Sequence, residues 1–178
     1  TPSVRVTGKT KGGKNVVVYA HENNYFSNPV NIRAAVEGGK LVNGAGPMPQ
    51  DQFYALLGRE GNGRVYVIDQ DKLKGSISGI IHVNEALDHP QTIPFLGLGR
   101  EGAERYLIKY KEVYGNQIGI WHSDDSYKNG SLGRVLYLGN FCMNSLSGII
   151  ILDSYGQVFG VAPESHLVTK DLEAKFYK

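Results

Sequence analysis

Four groups of residues in this 178-residue chain are of types that could do chemistry, and each needs partners that only folding can bring. Gly97-x-Gly99-x-x-Gly102, with Asp124 some twenty residues on, has the outline of a dinucleotide fingerprint. In that motif the glycines admit a pyrophosphate to a helix N-terminus and the acid takes the ribose. The fingerprint requires a buried strand ahead of it, and the only segment available, Thr92–Leu96, contains Pro94, which suits such a strand badly. His122-Ser123-Asp124-Asp125 offers two metal-ligating side chains at strand spacing, with Asp153 as a third. The same residues make a self-capping turn, and no metal is expected here. Cys142 with His166 could form a nucleophile and its base, against the plainer reading of Cys142 as core packing. His89 stands before a proline and reads as a loop residue.

These groups depend on the elements that would hold them. Residues 3–7 and 15–20 read as strands of a hairpin joined through a turn-rich linker. Asn28-Pro29 is an N-cap followed by proline in the first helical position, and the helix it opens should stop at Gly38-Gly39. Residues 43–48 read as a loop. Pro49 opens a second short helix with Phe53, Leu56 and Leu57 on one face and Gly58 at its end. Residues 64–69 and 79–83 are strands, and 84–88 make one helical turn before His89-Pro90.

The stretch from Gly97 to Asp125 supports two structures. In one, the glycine motif opens a helix whose apolar positions are Ala103, Tyr106, Leu107, Tyr110, Val113 and Tyr114, with Glu101 and Arg105 one turn apart on the wet side. In the other, residues 105–110 are a strand with Glu104 at its head, paired with 117–121. Beyond it, 133–138, 148–153 and 157–161 read as strands and 170–177 as a helix. Leu57-Gly58-Arg59-Glu60-Gly61 recurs as Leu98-Gly99-Arg100-Glu101-Gly102, which reads as two similar glycine-rich turns more than as a duplication. The pattern predicts an α+β fold with an antiparallel, split sheet, short helices in the first half and a β-rich second half. It predicts one domain over 1–178, with 131–178 readable as a β-hairpin extension carrying a C-terminal helix.

Bulk composition narrows the partners. Apolar residues at 41%, charged residues at 20% and a net charge of +2 describe an ordinary soluble chain with no indication of nucleic acid. One cysteine excludes an internal disulfide and a thiolate zinc site. No apolar run is long enough to span a bilayer, and the sequence, which starts at Thr1, shows no signal peptide, so the expectation is a soluble protein with its compartment open. The 23 glycines and 11 tyrosines fit many turns and half-buried strands.

The run from Asn15 to Leu41 is strand, histidine, polar linker and glycine-terminated helix, and it resembles the opening of the ADP-ribosyltransferase superfamily. His21 stands where the histidine-using branch grips NAD. Residues 64–69 and Val83-Asn84-x-x-Leu87 look like that family's middle strand and loop. Glu104-Arg-Tyr-Leu-Ile-Lys-Tyr followed by Asn116-Gln-Ile-Gly-Ile is similar to its late strand pair. The resemblance, over about residues 15–121, implies NAD as substrate, His21 and Glu104 as catalytic residues, and His21 with Tyr66 or Tyr54 against the cofactor. A carboxylate at 104 would stabilise the oxocarbenium-like state formed as nicotinamide leaves. The implied activity is ADP-ribosyl transfer to a protein acceptor or NAD glycohydrolysis, of a toxin or effector kind. The alternative is a non-enzymatic protein-binding module with a tyrosine-rich recognition surface, since aromatic rings anchor interfaces at low entropic cost.

Overall fold

The computed structural model describes residues 2–122, 130–139 and 145–147. In chain order its strands are β1 (Val4–Lys9), β2 (Asn15–Ala20), β3 (Gly46–Met48), β4 (Val65–Asp69), β5 (Gly79–His82), β6 (Gln117–Trp121), β7 (Ser131–Val135), β8 (Tyr137–Gly139) and β9 (Ser145–Ser147). Its helices are α1 (Pro29–Glu37), α2 (Gln50–Leu57), α3 (Gln70–Lys74), α4 (Val83–Ala86), α5 (Thr92–Leu96) and α6 (Gly99–Tyr114), with a 3-10 turn at Tyr25–Ser27. The fold is α+β, with two separate sheets and short helices between their strands.

β1 and β2 form the hairpin expected from the sequence, with Val4 opposite Ala20 and Lys9 opposite Asn15. Its turn closes through Thr10, whose amide donates to the Lys14 carbonyl at 2.9 Å and whose hydroxyl accepts from the Lys14 amide at 3.1 Å. The first sheet has the order β3-β7-β1-β2-β4, every neighbouring pair antiparallel. Side chains on a strand alternate between faces. Val4, Val6, Val16, Val18, Ala20 and Val65 therefore meet Phe26, Phe53 and Leu56 on one face. Val17, Tyr19 and Ile68 meet α5, α6 and the second sheet on the other.

The helices that cover the first face end where local chemistry demands. Asn28 caps α1, its side chain accepting from the Val30 amide at 3.0 Å, with Pro29 in the first turn. α2 buries Phe53 and Leu56, and Phe53 lies so close to Gly8 that a Cβ there would come within 2.6 Å of the ring.

The second sheet, β5-β6-β9-β8, pairs β6 with β9 in parallel and its other neighbours antiparallel. The single strand expected over 133–138 is two strands in different sheets. Between them the Leu136 side chain is buried in the core, and its amide donates to the Ser3 carbonyl at 2.8 Å. α3 is a helix that the sequence pattern does not predict, and β3 is a short strand within the expected loop over 43–48. The expected strands at 148–153 and 157–161, the helix at 170–177, and Cys142, His166, Asp124, Asp125 and Asp153 lie outside the described residues.

Residues 103–110 are helical, which decides the central ambiguity. α6 buries Gly102, Ala103, Leu107 and Tyr110 and turns Glu101, Glu104 and Arg105 outward. Thr92–Leu96, ahead of the glycine motif, is the helix α5 and no strand, so the dinucleotide arrangement is absent there. Among the described residues, no helix is long and apolar enough to cross a membrane.

Candidate functional site

β2 delivers His21 to the junction of the sheet with α5. The residue is 4% exposed, and both ring nitrogens are engaged: Nε2 lies 2.7 Å from the Pro94 carbonyl and Nδ1 2.9 Å from the Ser3 hydroxyl. A carbonyl can only accept, so Nε2 carries the proton and Ser3 donates to Nδ1. Tyr66 packs edge-on to the ring, centroids 6.1 Å apart, and its hydroxyl donates to the Gly63 carbonyl at 3.1 Å. Gly97, at φ 66°, closes the remaining side, because a Cβ there would sit 2.5 Å from Cδ2 of His21. Burial holds the imidazole below its ordinary range, with the Pro94 carbonyl opposing and the Arg64 charge adding to the shift.

The structure thus joins His21 to Tyr66 and separates both from the other candidates. Glu104 is exposed on the outer face of α6 and has no hydrogen bond or ion pair with any described residue. Tyr54 packs with the core on the opposite face of the first sheet from Tyr66, with Lys11 Nζ 5.4 Å above its ring. Glycines 97 and 102 serve close packing, against His21 and Leu98. Among the described residues, no group of three or more His, Cys, Asp and Glu side chains could hold a metal.

Two buried polar features were not anticipated. Gln91 is wholly buried: its Oε1 accepts from the Tyr19 hydroxyl at 3.1 Å, and its Nε2 donates to the carbonyls of Trp121 at 3.1 Å and Leu146 at 3.4 Å. One amide therefore ties β2 of the first sheet to β6 and β9 of the second. No local pattern marks Gln91, because all three partners are distant in sequence. Arg5 and Arg134 stand opposite each other in register and are both buried. Arg134 donates to the Asn43 carbonyl at 2.6 Å, and the Arg5 charge partly opposes the upward push that burial gives the Tyr19 phenol. The alternation Ser3, Arg5, Thr7 against Val4 and Val6 reads as a wet face, but here both faces of the sheet are covered.

Concave and exposed apolar surface lies on β5, β6 and the helices α4 and α6. Facing positions of β5 and β6 share a side, so Ile81 and Ile118 point to the core while Ile80, His82 and Gln117 point out, with Trp121 half-buried on that outer face. Beside the His82–Gln117 end opens a groove of about 640 Å³ between α4 and α6. Val83, Leu87, Leu107 and Ile108 form its apolar lining, and Lys111 donates to Asn84 Oδ1 across it at 3.2 Å. Ile80 and Ile108 are 47% and 54% exposed. Tyr106, Tyr110 and Tyr114 stack along α6 with centroid spacings of 6.2 and 5.1 Å, and burial with the two neighbouring phenols pushes Tyr106 up to about 12.

No protein-family model and no curated protein matches the sequence. A solved structure from work on the accommodation of massive sequence variation in Nanoarchaeota by the C-type lectin fold is 57% identical to this chain, with a TM-score of 0.77 over 83% of this chain and 68% of that one. The chain belongs to the C-type lectin fold family. Membership overturns the ADP-ribosyltransferase resemblance, and with it NAD as substrate and the transferase, glycohydrolase and toxin readings. The residues agree with the correction. The segment that resembled a glutamate-headed strand is α6, and the histidine that resembled an NAD grip is sealed inside the lectin-fold core. What remains favoured is a binding module of C-type lectin fold.

Proposed function

We propose that this protein is a non-enzymatic recognition module that binds a protein ligand on the outer face of β5 and β6 and in the adjoining α4–α6 groove. The observation that carries the reading is the division of labour between alternate residues of the second sheet. Ile81, Ile118, Ile120 and Leu146 fill the core, and Ile80, His82 and Gln117 project away from it. Substitutions at the outward positions leave the inward packing untouched, so the surface can be adapted to a ligand without loss of the scaffold. That property suits a relative whose fold accommodates massive sequence variation. Exposed Ile80 on the sheet and exposed Ile108 on the wall of the groove supply apolar contacts of the kind protein interfaces favour, and His82, Gln117 and Lys111 supply polar ones.

The tyrosine-rich character of the sequence contributes mainly to packing. Of the tyrosines whose side chains are described, Tyr19 and Tyr110 are buried, Tyr25, Tyr54, Tyr66 and Tyr106 half-buried, and Tyr114 is exposed. A photo-crosslinking side chain placed at position 80 or 108 tests the assignment. It should capture the same protein from native surroundings at both positions, and that capture should be lost in Ile80→Asp or Ile108→Asp backgrounds. Binding of that partner with unchanged affinity by both aspartate variants would place the surface elsewhere.

A further inference from the structure

His89 and His122 meet where the second sheet joins the α5 segment, their rings 6.0 Å apart at 41°. His89 Nε2 is 2.9 Å from the Ile77 carbonyl, and its Nδ1 is 3.1 Å from the Gln91 amide nitrogen. The two partners leave one protonation state. The carbonyl can only accept, so Nε2 bears hydrogen; the amide can only donate, so Nδ1 must be bare. A second proton on His89 would set two N–H groups against each other at 3.1 Å, because a backbone amide cannot reverse its role. His21 differs in this respect, since the Ser3 hydroxyl on its Nδ1 can turn and accept.

The contact broken is the one that positions Gln91, whose side chain bonds Tyr19, Trp121 and Leu146. His122 closes the same junction from the end of β6: its Nε2 lies 3.3 Å from the Ser76 hydroxyl, and its backbone is pinned by the Ser78 hydroxyl at 3.2 Å. The nearest described acid along the chain, Asp88, is exposed and paired with Arg100 at 3.1 Å. Among the described residues, Ser76, Ile77 and Ser78, facing His89 from the β5 side, bring no charge, and Trp121 and Gln91 bring none from the other side.

We propose that His89 is an acid-operated latch: neutral, it fastens the Ile77 loop, Gln91 and the Trp121–His122 end of β6 together, and on protonation it lets that end of the second sheet move. Burial favours the neutral ring, so the latch stays closed through neutral pH and opens below the ordinary imidazole range. The inference does not depend on what the surface binds.

Trp121 is the only tryptophan and reports directly, since its carbonyl accepts from Gln91. The full chain would be titrated from about pH 8 to about pH 4.5, spanning the imidazole range, well below its melting temperature. Emission should change reversibly with a midpoint below about 6.5, and the Gln91 amide resonance should shift with the same midpoint. His89→Asn retains an oxygen to accept from the Gln91 amide and cannot titrate, so the transition should vanish in it. A folded His89→Asn variant with the wild-type transition overturns the proposal, as does a transition lost in His122→Asn and retained in His89→Asn. Should His89→Asn fail to fold, the wild-type resonance decides: a Gln91 amide that stays put through the emission change refutes the latch.

Discussion

Gly97 and Gly99 both sit at φ 66°, and they differ in one respect that turns them into a controlled experiment. Beyond its chain neighbours and its own helix's backbone, no heavy atom lies within 4 Å of a Cβ built on Gly99, whereas a Cβ on Gly97 lies 2.5 Å from Cδ2 and 2.7 Å from Cγ and Nε2 of His21. Gly99→Ala should therefore cost only the left-handed backbone penalty, about 1–2 kcal/mol. Gly97→Ala carries that penalty and must also displace a buried ring. The ring has no easy retreat, because Ser3 and Pro94 hold its nitrogens and Tyr66 lies against it. Overpacking of this kind costs about 1–3 kcal/mol, so Gly97→Ala should lose about 2–5 kcal/mol in all. At about 2–4 °C per kcal/mol for a chain of this size, melting should fall by roughly 4–20 °C for Gly97→Ala and a few degrees for Gly99→Ala. Urea unfolding followed by circular dichroism measures both. In a His21→Ala background the extra cost should disappear, which a double-mutant cycle reads directly. Equal losses for the two glycines, within about 0.5 kcal/mol, would refute the boxed-histidine account.

Gln91→Leu removes the partners of the Tyr19 hydroxyl and of two buried carbonyls, so it should destabilise by about 2–5 kcal/mol in urea unfolding, with a lower midpoint and an unchanged slope. Glu104→Ala should leave the unfolding midpoint within about 0.5 kcal/mol of wild type, because the side chain is exposed and makes no polar contact with the described residues. His21 and His89 are both depressed in the folded state, so the unfolded chain binds protons first as pH falls. Their contribution is complete above the unfolded value of about 6.5 and declines as pH drops from there through the folded values. Urea midpoints measured across that window should fall with acidification, less steeply in His89→Asn. Asn28→Ala removes the acceptor for the Val30 amide and should cost about 1 kcal/mol, read as the same kind of midpoint shift.

Much of the architecture is legible from local chemistry. The Asn28-Pro29 start and Gly38 end of α1, the extent of β2, and the Phe53 and Leu56 face of α2 follow from caps and periodicity that act within a few residues. The helical period of 103–114 also pointed correctly, and the competing strand reading survived only through a resemblance carried by short patterns. That resemblance misled because strand, histidine and glycine-ended helix can recur in unrelated folds, while a site is made by side chains from distant segments. The outward face of β5 and β6 shows the same limit. Its alternation is visible, but which side faces the core depends on α6 and β9.

The sequence by itself determined where helices start and stop, which residues could be apolar core, and that helices and antiparallel strands would mix. Tertiary structure alone decided that Arg5 is inside, that Gln91 joins two sheets, and that His21 is sealed. The repeated pentapeptide shows why. Leu57-Gly58-Arg59-Glu60-Gly61 leaves a helix, with Gly58 as the C-cap of α2 at φ −66°, and Leu98-Gly99-Arg100-Glu101-Gly102 begins one, with Gly99 at φ 66°. Local preferences among such states differ by only about 1 kcal/mol per residue, and burial of a single large side chain outweighs them. The same five residues therefore end one helix and open another, according to what lies across the core.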